Sequence, residues 1–294
     1  MTQPVFRFAP SPNGLLHLGH AYSALVNLEM ARAAHGTILL RVEDIDTIRC
    51  TPSRLSMMLE DLEWIGFEWD GPVRRQSEHF DIYRDAIDDL LRQGLAYPAL
   101  LSRAQIRDAV ATQEADGLAW PRDPDGAPHY PGNERNMSAD ERNEILAGDR
   151  DHAIRLDMKM ALNRMPAALV WHESGSGPDG QSGLTTAKPD CWGDFILGRK
   201  DAPASYHLAC VLDDALQGVT HVVRGLDLFH ATSAHRLLQS LFGLPEPDYH
   251  HHRLLVDSQG RKLSKSLEST ALRHLRETGA TPADIRRMIG LPVL

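Results

Sequence analysis

The chain has 294 residues, 42% hydrophobic and 24% charged, a globular composition with apolar material for a sizeable core in one or two domains. No run of about 18 apolar residues occurs, which argues against a membrane-spanning helix, and Met1-Thr2-Gln3-Pro4 opens no basic-then-apolar leader, so a cytoplasmic protein is expected. The net charge of −9 speaks against extensive nucleic-acid contact and for no DNA partner, while leaving room for a local basic face around Arg273, Arg276, Arg286 and Arg287. Cys50, Cys191 and Cys210 are odd in number and far apart, so free thiols are expected, with neither a disulfide framework nor a CxxC metal spacing.

In chain order, Val5 to Ala9 is a short apolar strand ended by the turn-rich Pro10-Ser11-Pro12-Asn13-Gly14. Leu18, Ala21, Leu25, Leu28 and Ala31 then fall at helical spacing, with Gly36 as the expected stop, and Thr37 to Val42 is a second strand leading to Glu43-Asp44. That order is a parallel βαβ unit. Residues 52–66, 79–94 and 102–114 read as helices. From about 96 to 192 the periodicity weakens and turn residues multiply, which predicts an insertion with possible strands at 153–157, 168–172 and 194–197 and a mobile Gly/Ser-rich loop at 175–183. Regular patterning returns with a helix at 205–216, a strand at 220–223, a helix at 228–242, a strand at 253–256 turned by Asp257-Ser258-Gln259-Gly260, and two short helices at 267–277 and 282–289.

The predicted fold is α/β: a Rossmann-like, doubly wound parallel sheet with an inserted α+β subdomain and a short helical tail. The expected boundaries are 1–95 and 193–266 for the two halves of the nucleotide-binding domain, 96–192 for the insertion and 267–294 for the tail.

Two motifs point to phosphate chemistry. His17-Leu18-Gly19-His20 stands between the first strand and the first helix, where unpaired N–H groups and the positive helix end suit a polyphosphate and imidazoles can donate to its oxygens. Gly19 lets a nucleotide approach the backbone. Lys262-Leu263-Ser264-Lys265-Ser266 follows far downstream, two ammonium groups and two hydroxyls able to grip a pyrophosphate. Either motif alone is more often a helix start or a solvated loop; the pair, in order and in context, is specific. His250-His251-His252 is a tempting metal cluster, but neighbours in a strand face opposite sides, so the three cannot share one ion.

Together the motifs resemble the paired HIGH and KMSKS signatures of class I aminoacyl-tRNA synthetases. Arg7-Phe8-Ala9-Pro10-Ser11-Pro12-Asn13-Gly14, Arg41-Val42-Glu43-Asp44-Ile45-Asp46, Ser205 to Ala209 and His221 to Asp227 are similar to segments of the glutamyl- and glutaminyl-tRNA synthetases. The resemblance implies an amino-acid site lined by Arg7, Ala9, Ser11, Glu43, Tyr206 and Arg224. It also implies an ATP site drawn from Pro10, Asn13, Gly14, His17, Gly19, His20, Lys262, Ser264 and Lys265, with His17, His20, Lys262 and Lys265 catalytic. The residue types agree. Two arginines can fork onto the two carboxylates of L-glutamate, Arg7 being favoured for the side-chain carboxylate, and Glu43 can hold the ammonium. Cys210 stands where full-length glutamyl enzymes often carry Asn, which is expected to remove a polar contact.

Only 29 residues follow Lys265, at about 1.5 Å per helical residue too few for an anticodon-reading domain. The chain therefore resembles the truncated glutamyl-Q tRNA(Asp) synthetase family. That resemblance implies tRNA-independent activation of glutamate with ATP and Mg2+, and transfer to queuosine in the anticodon loop of tRNA(Asp), by a monomer. Family zinc ligands would fall at Ala99, Leu101, Tyr130 and Glu134; no thiolate stands there, so no structural zinc is expected. The alternatives are a glutamylating enzyme for another acceptor (a tRNA 3′ end, a small amine or a protein) and a non-catalytic RNA-binding module.

Overall fold

The computed structural model describes residues 3–256 and 271–293. Strand β1 (Val5–Phe8) leads through an irregular turn to helix α1 (Leu18–Ala33), which returns the chain to β2 (Thr37–Val42), parallel to β1 as expected. The helix end differs in detail: the left-handed residue is His35 (φ 50°), not Gly36, histidine being one of the few side chains that tolerate this conformation. Helix α2 (Pro52–Trp64) opens with proline in its first turn and a Thr51 cap, the residues best suited to a helix start. The two-residue β3 (Arg74–Arg75) pairs with β2 ahead of α3 (Phe80–Arg92).

The next segment holds β4 (Ala96–Ala99), α4 (Arg103–Ala115), α5 (Ala139–Ala147), β5 (Ala153–Leu156), α6 (Met158–Asn163), β6 (Val170–Glu173) and β7 (Gly183–Thr186). Then come β8 (Ile196–Arg199), α7 (Tyr206–Leu216), β9 (His221–Gly225), α8 (Ala231–Phe242) and β10 (Asp248–His252), with α9 (Leu272–Glu277) and α10 (Pro282–Ile289) last. The strand expected at 253–256 thus lies a few residues earlier, at β10. The reason is chemical: its polar-looking Tyr249-His250-His251-His252 run pairs in parallel with β9 and buries His251 and His252.

Among the described residues the main sheet has the order β3-β2-β1-β9-β10-β6-β7, parallel except for the β6–β7 hairpin at its edge. A second sheet, β4-β5-β8, is antiparallel. Strand pairing therefore crosses the boundary expected at 192: β6 and β7 extend the main sheet, and β8 completes the small one. The loop expected to be mobile is tied at both ends, Gly175 N–H donating to the Glu173 carboxylate at 2.8 Å and Gly177 N–H to the Gln181 carbonyl at 2.8 Å.

Alternation along β1 sorts the two faces of the sheet. Phe6 and Phe8 join a core with Leu25 and Leu28 of α1, Leu62 of α2 and Ile285 of α10, while Arg7 turns the other way, to Asp214 of α7. In β9, Val223 joins the α1 core and Arg224 faces α8. The sheet thus delivers both arginines to one side, at the crevice between β1 and β9 where the strand order reverses. Ligands of open α/β sheets bind at such a switch point.

Of the four positions where the resemblance would place zinc ligands, Leu101, Tyr130 and Glu134 are joined by hydrogen bonds. The Tyr130 hydroxyl accepts from the N–H groups of Leu100 and Leu101, each at 3.0 Å, and donates to Glu134 Oε1 at 3.0 Å. Leu100 N–H also donates to that carboxylate, at 3.3 Å. This donor set, one carboxylate and a phenol already engaged with the backbone, does not fit a tetrahedral zinc. Glu134→Ala is expected to destabilise the fold by about 1.5–3 kcal/mol, the worth of a buried charge-assisted hydrogen bond, read as a lowered denaturant midpoint at unchanged slope.

Candidate active site

The crevice between β1 and β9 is a cavity of about 540 Å³. Arg7, Ala9, Pro10, Ser11, His17, Gly19, His20, Glu43, Tyr206 and Arg224 line it, so the two sequence-distant halves of the expected site converge on one space. Asn13 and Gly14 do not line it; the Asn13 carbonyl instead accepts from Arg54 at 3.4 Å. Lys262, Ser264 and Lys265, with the turn at 257–260, lie outside the described residues.

His17 and His20 form an imidazole version of a capping box at the start of α1. Gly19 N–H donates to His17 Nδ1 at 3.0 Å, and His17 N–H donates to His20 Nδ1 at 3.1 Å. Both Nδ1 atoms are acceptors, which puts the proton of each neutral ring on Nε2 and makes each ring a donor there. Gly19 has a reason of its own besides ligand approach: a Cβ at this position would lie 2.9 Å from His17 Cε1 and unseat the ring.

Arg7 and Arg224 are both buried, yet their electrostatic settings differ. Asp214 lies between Arg7 and Arg41, accepting from Arg7 Nε at 3.0 Å and from Arg41 Nη1 at 2.6 Å. Burial opposes charge on Asp214, but the two guanidinium groups outweigh it and hold the carboxyl below its ordinary range. Arg41 also donates to Glu43 at 3.2 Å, and burial nevertheless pushes the Glu43 carboxyl up, a condition that a bound ammonium group would relieve. The Cys210 thiol sits in this cluster, donating to Asp214 at 3.6 Å, and burial pushes its pKa up to about 12, so it stays protonated. The expected lost contact is thus partly replaced by a weak one.

Among the described residues Arg224 has only neutral hydrogen-bond partners. It donates to Thr232 Oγ1 at 2.7 Å, His251 Nε2 at 3.1 Å, His235 Nδ1 at 3.2 Å and the Tyr206 hydroxyl at 3.3 Å. Burial holds His235 far below its ordinary pKa and pushes His251 down to about 4, so both rings are uncharged at neutral pH. Among the described residues no carboxylate pairs with Arg224. A buried guanidinium without a counter-ion at the wall of a cavity is a receptor for an anion.

The adjacent histidines of β10 go to different partners, as strand alternation requires. His250 meets Ser174 Oγ at 3.1 Å, His251 meets Glu173 at 2.6 Å, and His252 lies edge-on to Tyr22, ring centroids 5.0 Å apart. Arg253 lies over the same Tyr22 ring at 4.8 Å. Tyr22, His252 and Arg253 line the cavity and were missed from sequence, as were Asp214 and Arg41 behind it. One signal was available: Asp213-Asp214 interrupts the apolar run Cys210 to Leu216, and acids in an apolar helix are buried with partners.

A helix N-terminus at a sheet switch point, carrying two imidazole donors beside a pair of arginines, defines a nucleotide-dependent enzyme acting on an anionic co-substrate. The chain belongs to the family of class I tRNA synthetases (E and Q), catalytic domain, whose family model matches residues 4–292. Within that family it is 44% identical to the glutamyl-Q tRNA(Asp) synthetase of Rhodobacter capsulatus, over 98% of this chain and 100% of that one. It is 39% identical to the glutamyl-Q tRNA(Asp) synthetase of Thiobacillus denitrificans, over 98% of this chain and 86% of that one. A crystal structure of a glutamate tRNA ligase from Elizabethkingia meningosepticum in complex with its amino acid superposes with a TM-score of 0.74 at 28% identity; the match covers 95% of this chain and 54% of that one, so this chain spans about half of it. The expected class I α/β fold is therefore correct. No helix among the described residues is long and apolar enough to cross a membrane.

Proposed function

We propose that the chain activates L-glutamate with Mg·ATP as glutamyl-adenylate and transfers the glutamyl group to queuosine in the anticodon loop of tRNA(Asp). The observation that carries the reading is Arg224, a buried cation whose hydrogen-bond partners among the described residues are all neutral, in the same cavity as Glu43 and the His17/His20 turn. Arg224 takes the side-chain carboxylate of glutamate. This departs from the expectation that favoured Arg7, because Arg7 already has a carboxylate partner in Asp214. Glutamine, whose amide brings no charge, would leave Arg224 unpaired and be rejected. Glu43 holds the ammonium, and Tyr206 orders the Arg224 end of the cavity through its hydroxyl.

In this reading the glutamate α-carboxylate attacks the α-phosphorus in line, and catalysis is positioning and charge stabilisation without a covalent enzyme intermediate. The Nε2–H groups of His17 and His20 stabilise charge developing on the α-phosphate. Lys262 and Lys265 hold the leaving pyrophosphate, and magnesium rides on the phosphates. A queuosine hydroxyl then attacks the mixed anhydride and AMP departs. The Tyr130–Glu134 hydrogen bonds stand in for a zinc site, and elemental analysis of the purified protein is expected to find less than stoichiometric zinc.

ATP–pyrophosphate exchange should proceed with glutamate in the absence of tRNA, and poorly with glutamine. Labelled glutamate should then enter queuosine-containing tRNA(Asp) whose terminal adenosine has been removed, and should not enter the same tRNA with unmodified guanosine. If removal of the terminal adenosine abolishes labelling while glutamate tRNA is charged well, the acceptor is a 3′ end and the queuosine reading fails.

A further inference from the structure

The countercharge of Arg224 lies one imidazole away. Glu173, at the end of β6, is 1% exposed, and among the described residues its carboxylate's hydrogen-bond partners are all donors. Its Oε1 accepts from the N–H groups of Gly175 at 2.8 Å and His251 at 2.9 Å, and its Oε2 from His251 Nδ1 at 2.6 Å and Trp171 Nε1 at 3.3 Å. Gly175 is needed for this seat, since a Cβ there would lie 2.5 Å from the His251 carbonyl and 2.9 Å from Glu173 Oε1. The far ring nitrogen of His251, Nε2, receives the Nε–H of Arg224 at 3.1 Å. Arginine can only donate, so Nε2 is the lone-pair nitrogen and Nδ1 carries the proton, which it gives to Glu173.

We infer that Glu173 and His251 are positioning residues for substrate specificity: the carboxylate fixes the His251 tautomer, the imidazole fixes the guanidinium of Arg224, and the charge of Arg224 is left for the substrate. The arrangement solves a problem of placement. A carboxylate in direct contact, as Asp214 is with Arg7, would orient Arg224 equally well and cancel the charge that selects glutamate. A neutral ring between carboxylate and guanidinium transmits the orientation while the ion pair is never formed, and Thr232 Oγ1 and His235 Nδ1 complete the set with further neutral acceptors. Burial opposes charge on Glu173, but its bonds from His251 and the backbone outweigh this and keep the carboxyl below its ordinary range, and His251 stays neutral. The specificity device therefore depends on the β6–β7 hairpin, from a segment with no motif of its own.

The inference rests on the reading of Arg224 as the glutamate receptor, and the test separates the two. Glu173→Gln is the sharpest variant. Its amide oxygen keeps the two backbone N–H groups, which places its NH2 against His251 Nδ1 and forces the ring proton onto Nε2, where it opposes Arg224 Nε–H. Steady-state pyrophosphate exchange, corrected for active enzyme, should show KM for glutamate raised at least about tenfold, KM for ATP unchanged and the preference for glutamate over glutamine reduced. A misfolded fraction would lower the turnover per chain and leave KM alone.

Two variants at His251 keep the test decisive should Glu173→Gln fail to fold. Phenylalanine preserves the ring packed against Phe229 and Tyr249, while glutamine preserves only an acceptor near the Nε2 position. Glutamate KM closer to wild type in His251→Gln than in His251→Phe supports the relay; the reverse order overturns it and leaves His251 a packing residue. If Arg224→Ala itself leaves glutamate KM unchanged, the pocket reading fails. If Arg224→Ala raises it and Glu173→Gln does not, the relay alone is refuted.

Discussion

Replacing Arg224 by alanine should cost at least about 3 kcal/mol of transition-state stabilisation, roughly two orders of magnitude in kcat/KM for glutamate, because it removes the buried cation that a buried substrate carboxylate requires. The loss should appear mainly in KM, with ATP binding intact, since the His17/His20 turn is built on α1 and the Arg224 site on β9. Glutamine should become a relatively better substrate, for the group that punished its missing charge is gone. Arg224→Lys should recover little: one ammonium cannot make the four directed bonds to Thr232, His251, His235 and Tyr206 that hold the fork in place. Exchange kinetics with both amino acids decide this, and an alanine variant with wild-type KM for glutamate would remove Arg224 from the amino-acid site.

Asp214→Ala should give the largest stability loss. Arg7 and Arg41 are 4% and 0% exposed, and Asp214 is the carboxylate they share. Removing one partner of a buried ion cluster costs about 3–5 kcal/mol, because Arg7 stays desolvated without its carboxylate and Arg41 keeps only Glu43 at 3.2 Å and Asp213 at 4.0 Å. Equilibrium denaturation should show that loss at neutral pH and less of it in acid. The sign follows from the lowered Asp214 pKa: its contribution is complete above the ordinary carboxylate pKa of the unfolded chain and is lost as pH falls through the depressed value in the folded chain. Asp213 binds Arg74 at 2.8 Å, Gln76 at 2.9 Å and Tyr83 at 2.8 Å, and among the described residues meets the Asp214 cluster only through Arg41, 4.0 Å away. Two adjacent acids thus tie the floor of the cavity to β1 and β2 on one side and to α3 on the other.

The elements that could be read from the sequence are those whose local chemistry was self-sufficient. β1, α1 and β2 carry an apolar strand, turn residues, helical spacing and a second apolar strand in succession. Helix α7 announces itself by the Ser205 cap, whose Oγ accepts from Leu208 N–H at 3.4 Å, and by its apolar run. The cavity-lining motif residues were legible for the same reason, being contiguous short segments whose residue types match phosphate and carboxylate chemistry. What stayed hidden had its partners elsewhere in the chain. β4 contains Pro98 and pairs with a strand more than fifty residues on, and β10 reads as polar because His251 is satisfied by Glu173, 78 residues away in sequence. Residue identity could nominate Arg7 and Arg224 as carboxylate ligands and could not rank them. That ranking depends on which guanidinium already has a counter-ion, and counter-ions are assigned by strand order and helix packing: α7 carries Asp214 to Arg7, while β6 and β10 stop Glu173 one imidazole short of Arg224. Sequence alone determined the fold class and the residue types of the candidate site; only tertiary structure decided which buried guanidinium has a carboxylate partner among the described residues, because electrostatic neutralisation acts through distances that no local pattern encodes.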